Sequence, residues 1–514
     1  MEDFSQPLSQ EIISDTSKKH SSLKNKKYLI LIITAVVIIA LVIILCIVLV
    51  GGDKNEEKEK EEDKKEDKNY SFKVLYHTNE NNQTINLINK LPYIGSEYAE
   101  IKEIEIDGKK VEPSLSYTFP SLGDHIVYFL IDISNSDSLS SMFKGIKDMI
   151  SISFSKNFNT QKIKNMDYMF QDCYYLTSID LTFFNTENVI NMNHMFSTCT
   201  SLKSFDLSNF NSKNVQNMEY MFYSCTSLIS INFSNNIENL KKMNNMFAEC
   251  TSLELINLSS LNSKSVEDMS NIFLRCDSLT SINLSDFDAS SVTNMANMFS
   301  YCSSLTYINL NNFKTKNIKN TFSMFNSCSS LLSLDLSSFD TKNVETMESM
   351  FEGCSSLSIL DLSSFDTSNV IKIRKMFSGC ESLQSINLNS FNTKNVIDMN
   401  RMFADCSSLT SLDVSKFNTE NVEKMIGMFS HCSSLTSLDL SSFTNTKVSF
   451  AEDFFNSCSN LKYIDIRRFN GTESKFNKMF DGLESEGIIV VNNYVSDIVK
   501  NLIPSNWNIT IIDL

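Results

Sequence analysis

Twelve of the chain's 13 cysteines stand at Cys173, Cys199, Cys225, Cys250, Cys276, Cys302, Cys328, Cys354, Cys380, Cys406, Cys432 and Cys458, 26 residues apart except for one step of 25. Thiols at regular spacing could form disulfides, ligate a metal or be buried. Stacking repeats at about 4.7–4.9 Å brings neighbouring Cα atoms inside the disulfide window but leaves parallel Cβ atoms too far apart. A tetrahedral metal site wants convergent pairs such as CxxC, and the column offers none. Buried free thiols are the expectation, with disulfides the alternative.

A second chemical column lies seven residues after each cysteine (+7). It holds Asp180, Asp206, Asp335, Asp361, Asp413, Asp439 and Asp465, with Asn232, Asn257, Asn283, Asn309 and Asn387 between them. Like charges on neighbouring strands destabilise one another, so these carboxylates would favour a basic partner or Ca²⁺ bridging. The column looks dispensable for folding. Asp335, Asp361, Asp413 and Asp439 are therefore the candidate ligand-binding residues, against the alternative of a solvated sheet face. At +15 stand Asn188, Asn214, Asn317, Asn343, Asn369, Asn395 and Asn421, read as a ladder that satisfies loop backbone groups. Catalytic convergence is not visible: the five histidines are scattered, and HExxH, GxSxG and a Gly-rich phosphate loop are missing. The chain reads as a non-enzyme without a cofactor.

These columns need a scaffold that repeats with them. Self-similarity at a fixed period of this length means a stacked solenoid. Within one repeat the apolar positions are +3, +6, +8, +11, +16, +19, +22 and +23, as in Leu357, Leu360, Leu362, Phe365, Val370, Ile373, Met376 and Phe377. LxxLxL predicts a short strand, with +6 and +8 inward and +5, +7 and +9 outward. The second half, with apolar residues three and four apart, predicts a turn or two of helix or 3₁₀. The fold class expected is an α/β repeat solenoid, a right-handed coil with one short strand per repeat.

The MFxxCxSLxxLDLSxFxTxxVxxM repeat resembles leucine-rich-repeat surface proteins of the BspA-like kind, over about Ser140 to Leu483. Departures are Asn236 for the +11 Phe, Thr321 and Ala451 for the +19 Met, Phe454 for the +22 Met, and Ile146 and Leu483 at the terminal cysteine positions. The resemblance implies a cell-surface or secreted protein concerned with adhesion and host or matrix contact. A passive surface coat or spacer is the alternative function.

Outside the repeats, residues 1–27 form a polar tail ending in Lys24, Lys26 and Lys27. Residues 28–50 are 23 uncharged residues, enough to span a bilayer and too long for a cleaved signal core. They predict an uncleaved signal anchor, with the tail inside by the positive-inside rule, although the stalk at 51–69 carries six lysines of its own. Residues 70–138 alternate in short runs with Asp107-Gly108 as a hairpin turn, and predict a β module capping the first repeat. Repeats occupy 139–485, and 486–514 reads strand, helix, strand as the other cap. The localisation expected is the plasma membrane, single-pass, with the repeats outside. A net charge of −16 argues against nucleic acid and leaves a protein or cell-surface ligand as partner. Asn69, Asn82, Asn470 and Asn508 are N-glycosylation sequons outside the regular stack.

Overall fold

The computed structural model describes residues 69–513 apart from 95–96, 209, 234–236, 259–260 and 449–450. The tail, the 28–50 segment, most of the stalk and Asn236 lie outside the described residues. Residues 70–514 form one compact unit.

The chain is a β-solenoid of about 13 turns, and its N-terminal β cap is built from the alternating runs. These are β1 (Phe72–Thr78), β2 (Gln83–Asn86), β3 (Tyr93–Ile94), β4 (Glu97–Tyr98), β5 (Ile101–Ile106), β6 (Lys109–Val111), β7 (Ser116–Phe119) and β8 (Gly123–Ile131). Asp107 and Gly108, at φ 48° and 79°, turn β5 into β6, the two left-handed residues that a type I′ hairpin requires. The cap joins the stack through one six-stranded sheet. β1 pairs antiparallel with β9 (Met149–Phe154), which pairs parallel with β10 (Ser178–Asp180).

From there each rung adds at most one short parallel strand: β11 (Ser204–Leu207), β12 (Ser230–Phe233), β13 (Leu255–Ile256), β14 (Ser281–Asn283), β15 (Tyr307–Asn309), β16 (Ser333–Leu334), β17 (Ile359–Leu360), β18 (Ser437–Asp439) and β19 (Tyr463–Asp465). Alternation sets the faces: in β11, Phe205 and Leu207 are buried while Ser204 and Asp206 are exposed. The far end closes with β20 (Gly487–Val491) and β21 (Trp507–Ile511), parallel strands linked through α2 (Ser496–Leu502). The other described helix is the single turn α1 (Glu473–Phe476), so the α part of "α/β" is small.

The second half of each rung is not helical, and the hydrogen bonds show why. In the rung after Cys328, Met350, Glu352 and Cys354 donate their N–H groups three residues back, to Met347, Ser349 and Phe351, at 3.1–3.2 Å. The alternate donors Met347, Ser349, Phe351 and Gly353 reach Lys372, Arg374, Met376 and Ser378 of the next rung at 2.7–3.0 Å. Turn and ladder thus share the backbone donors, which burial requires to be paired. The path needs left-handed backbone at +21 and +25 of each rung, as at Ser349 (φ 57°) and Gly353 (φ 73°). A continuing helix would send every N–H back into its own rung and leave neighbours unbonded.

Beneath these turns runs an unbroken stack of +23 phenylalanines from Phe143 to Phe480, with consecutive centroids 5.3–6.3 Å apart. It passes through the 25-residue rung at 5.8 Å, so the missing residue is absorbed away from the core.

Candidate functional site: the strand face and its columns

All twelve repeat cysteines are free and buried. Each thiol donates to the carbonyl of a +23 Phe one rung back: Cys354 Sγ to Phe325 O and Cys380 Sγ to Phe351 O, at 3.1 and 3.3 Å. That carbonyl already accepts the backbone N–H of its own rung's cysteine, and the thiol occupies its second lone pair. Burial pushes the thiols up, to about 12 for Cys225, Cys354 and Cys458. Protonated, buried thiols are inert.

The +15 amides form the ladder expected. Asn343, Asn369, Asn395 and Asn421 donate to Lys316, Lys342, Ser368 and Lys394 carbonyls one rung back at 2.7–3.0 Å. Asn239 joins them in the short rung, bonding Lys213 O at 2.8 Å. An open groove of about 590 Å³ beside this ladder is lined by Lys319, Glu345, Ile371 and three of these asparagines; the amides there are already engaged. A second ladder escaped the sequence reading. The buried +13 hydroxyls of Thr341, Thr367 and Thr393 donate to Asp366, Asn392 and Asn418 carbonyls of the next rung at 2.8–3.1 Å and accept the same residues' N–H groups at 2.7–2.8 Å. Its signal was the Thr that follows FD or FN every 26 residues.

The +7 column has a folding role, contrary to expectation. Oδ1 of Asp335, Asp361, Asp413 and Asp439 accepts the N–H two residues on, from Ser337, Ser363, Ser415 and Ser441, at 2.8–3.0 Å. Asn283, Asn309 and Asn387 do the same. This Asx turn needs only a side-chain oxygen three bonds from Cα, which Asp and Asn both supply, so the two interchange. The four candidate aspartates remain exposed. Hydrogen bonds from Ser337, Ser363 and Ser415 hold Asp335, Asp361 and Asp413 below the usual carboxylate pKa; for Asp335 the repulsion from Asp361 is the smallest influence. Asp465 is buried and paired with Arg467. Among the described residues no three His, Cys, Asp or Glu side chains converge to hold a metal ion.

What stands out on this face is apolar. The +4 and +5 columns are mostly Ser and Thr, yet Tyr307, Leu332 and Ile359 on three successive rungs are 57%, 60% and 71% exposed. Leu332 and Ile359 share their rungs with Asp335 and Asp361, and Tyr307 lies on the rung before them. Leu332 and Ile359 were hidden because Leu and Ile look ordinary inside a leucine-rich repeat.

The fold and columns define a β-solenoid of LxxLxL repeats. The chain belongs to the family described as "Mycoplasma protein of unknown function, DUF285", whose model matches residues 137–255, 241–359, 331–412 and 386–487. Among solved structures, a leucine-rich cell surface protein from Faecalibacterium prausnitzii A2-165 is 16% identical with a TM-score of 0.29, over 56% of this chain and 83% of that one. A leucine-rich repeat protein from Eubacterium ventriosum ATCC 27560 is 16% identical with a TM-score of 0.26, over 56% and 91%. Likeness this distant says nothing of what this chain binds. No curated protein matches it.

Proposed function

We propose that the chain is a membrane-anchored surface protein of the BspA-like kind that binds a protein or matrix ligand on its strand face, and is not an enzyme. The uncharged segment 28–50 supports the anchor and single-pass plasma-membrane placement. The observation that carries the binding reading is the patch Tyr307, Leu332 and Ile359 beside the exposed, ionised Asp335 and Asp361. Apolar residues at the centre and charge at the rim are the anatomy of a protein interface, and extended solenoid surfaces are used this way. Asp413 and Asp439 lengthen the acidic rim toward the C-terminal rungs, fitting a basic partner. Ca²⁺ would join this interface only as a bridge to partner oxygens. Asn69, Asn82, Asn470 and Asn508 are exposed and are the proposed glycan acceptors.

The test returns the patch to the repeat's usual residues. Tyr307→Ser, Leu332→Thr and Ile359→Ser together, in the full chain displayed on cells, are expected to lower adhesion to a matrix-coated surface at least ten-fold without lowering the unfolding midpoint. Adhesion unchanged by these replacements would leave the passive-coat reading standing.

A further inference from the structure

A different face, on the +20 to +25 turns of the first rungs, breaks the repeat's own rule. Left-handed backbone disfavours residues with bulky β-carbons, while Gly and Asn adopt it readily. Later rungs carry no ring at this +21 corner: Asn245, Asn271, Asn297 and Gly427 suit it, and Ser323, Ser349, Lys375 and Arg401 also occupy it. Three successive early rungs instead place rings there: Tyr168, His194 and Tyr220, at φ 56°, 55° and 56°. The rings stack, 4.8 Å and 4.5 Å between centroids with interplanar angles of 26° and 16°. Tyr223 meets Tyr220 edge-on at 5.7 Å. Strained residue choices that the fold does not need point to function.

Around the rings the charges are mainly acidic. Burial holds the His194 imidazole below its ordinary pKa; Glu219, Asp172 and Asp167 act to raise it and Lys144 to lower it, so all four lie within electrostatic reach. Glu249 accepts from the Tyr223 hydroxyl at 3.1 Å. Lys144, from the preceding rung, sets its ammonium 5.0 Å from the Tyr168 centroid, so a cation already lies over this ring. Among the described residues, Asp167 Oδ1 and Gln171 Oε1 are buried without a hydrogen-bond partner. They flank Tyr168 in the chain, and two buried acceptors, one of them anionic, call for a donor that carries charge.

We propose that this turn face receives an arginine side chain from a basic protein. The guanidinium takes the place Lys144 holds over Tyr168 and donates to Asp167 and Gln171, a geometry its planar fork of five N–H groups suits. Lys144 is the internal occupant that the partner displaces. This surface is separate from the strand-face patch and does not depend on it.

The probe is a blocked, fluorescein-labelled Gly-Arg-Gly-Arg-Gly peptide, with its uncharged citrulline counterpart, titrated by anisotropy into the full chain in mild detergent at physiological salt. The arginine peptide should bind at least ten-fold more tightly than the citrulline peptide. Tyr168→Asn with Tyr220→Asn should weaken it at least ten-fold while the thermal midpoint holds or rises. Lys144→Ala should tighten it about three-fold, whereas Lys394→Ala, an exposed charge removed on another side of the stack, should not. Asp335→Asn with Asp361→Asn should leave it unchanged, which separates this site from the strand face. Equal binding of the two peptides, unchanged affinity in the tyrosine double variant, or a lowered midpoint there would overturn the assignment; the last would show that the rings serve the fold.

Discussion

The +21 corner is left-handed from Ser141 to Asp453, but two stretches of the solenoid fill it by different logic. In the rungs of Asn271 and Asn297 the residue suits the backbone, and the Asn297 amide donates to Asn271 Oδ1 at 3.0 Å, a structural ladder. In the rungs of Tyr168 and Tyr220 the residue opposes the backbone, and with His194 between them the rings stack locally. Where a repeat obeys its geometry, its residues report on folding. Where it departs at a cost, the departure is the informative part. The strand face repeats the lesson, since Asp335 obeys its turn while Ile359 breaks a serine column.

The sharpest way to break this comparison is to ask whether the two stretches share one core. Phe170 and Phe351 occupy the same +23 stack and are both fully buried, so Phe170→Ala and Phe351→Ala should each cost about 3–5 kcal/mol. Denaturant midpoints that differed widely between the two would mean that the early rungs are built differently inside, and that their corner cannot be judged against later ones.

A smaller effect comes from writing the exception into the regular stretch. Asn297→Tyr puts an aromatic residue at φ 55° and removes the amide from the Asn271 ladder, and should cost about 1–2 kcal/mol. Chemical denaturation measures it; a neutral result would show that the corner tolerates rings freely and that Tyr168 carries no message.

The smallest effect belongs to the obedient aspartate. Asp335→Asn keeps the Oδ1 acceptor and should stay within about 0.5 kcal/mol at neutral pH, while Asp335→Ala loses the turn and should be the more destabilised of the two. The Asp335 pKa is depressed in the folded chain, so its contribution is present above the unfolded carboxylate value and fades as pH falls through the folded one. Stability measured from pH 6 down to about pH 2 should therefore fall less steeply in the Asn variant than in the native chain. Matching acid profiles would show that the Ser337 hydrogen bonds do not favour the ionised form.

The solenoid and its inward positions were legible because a 26-residue period leaves Leu360, Leu362, Phe365 and Phe377 no other arrangement that buries them together. The second half of the rung was misread. Apolar residues three and four apart suit a helix, but they suit equally a series of turns whose alternate N–H groups leave for the next rung. The discriminating signal was present once per rung, at +21 in Asn271, Asn297 and Gly427 and at +25 in Gly353 and Gly379, where Gly or Asn marks left-handed backbone. In the +7 column the Asp/Asn alternation suggested ligand chemistry, whereas the oxygen common to both residues was what the turn required. Tyr307 was visible from its ring. Leu332 and Ile359 were not, since only the face a side chain occupies separates a core leucine from an exposed one.

The threonine and asparagine ladders run in opposite senses, and this gives the stack a direction in time. Asn395 bonds a carbonyl of the rung before it, at Ser368, whereas Thr393 needs Asn418 of the rung after it. As the chain leaves the ribosome, each new rung can tie its amide at once to what is already folded, while its hydroxyl waits for 25 more residues. The growing end is thus fastened on one corner and open on another until the last rung emerges. There Asn445 stands in for threonine and accepts the N–H of Asn470, and Asn492 closes on the carbonyls of Arg467 and Phe469. A ribosome-stalled chain ending near Phe417 would present an unlatched threonine corner at Thr393, and chaperones that watch nascent chains would meet the protein on that side.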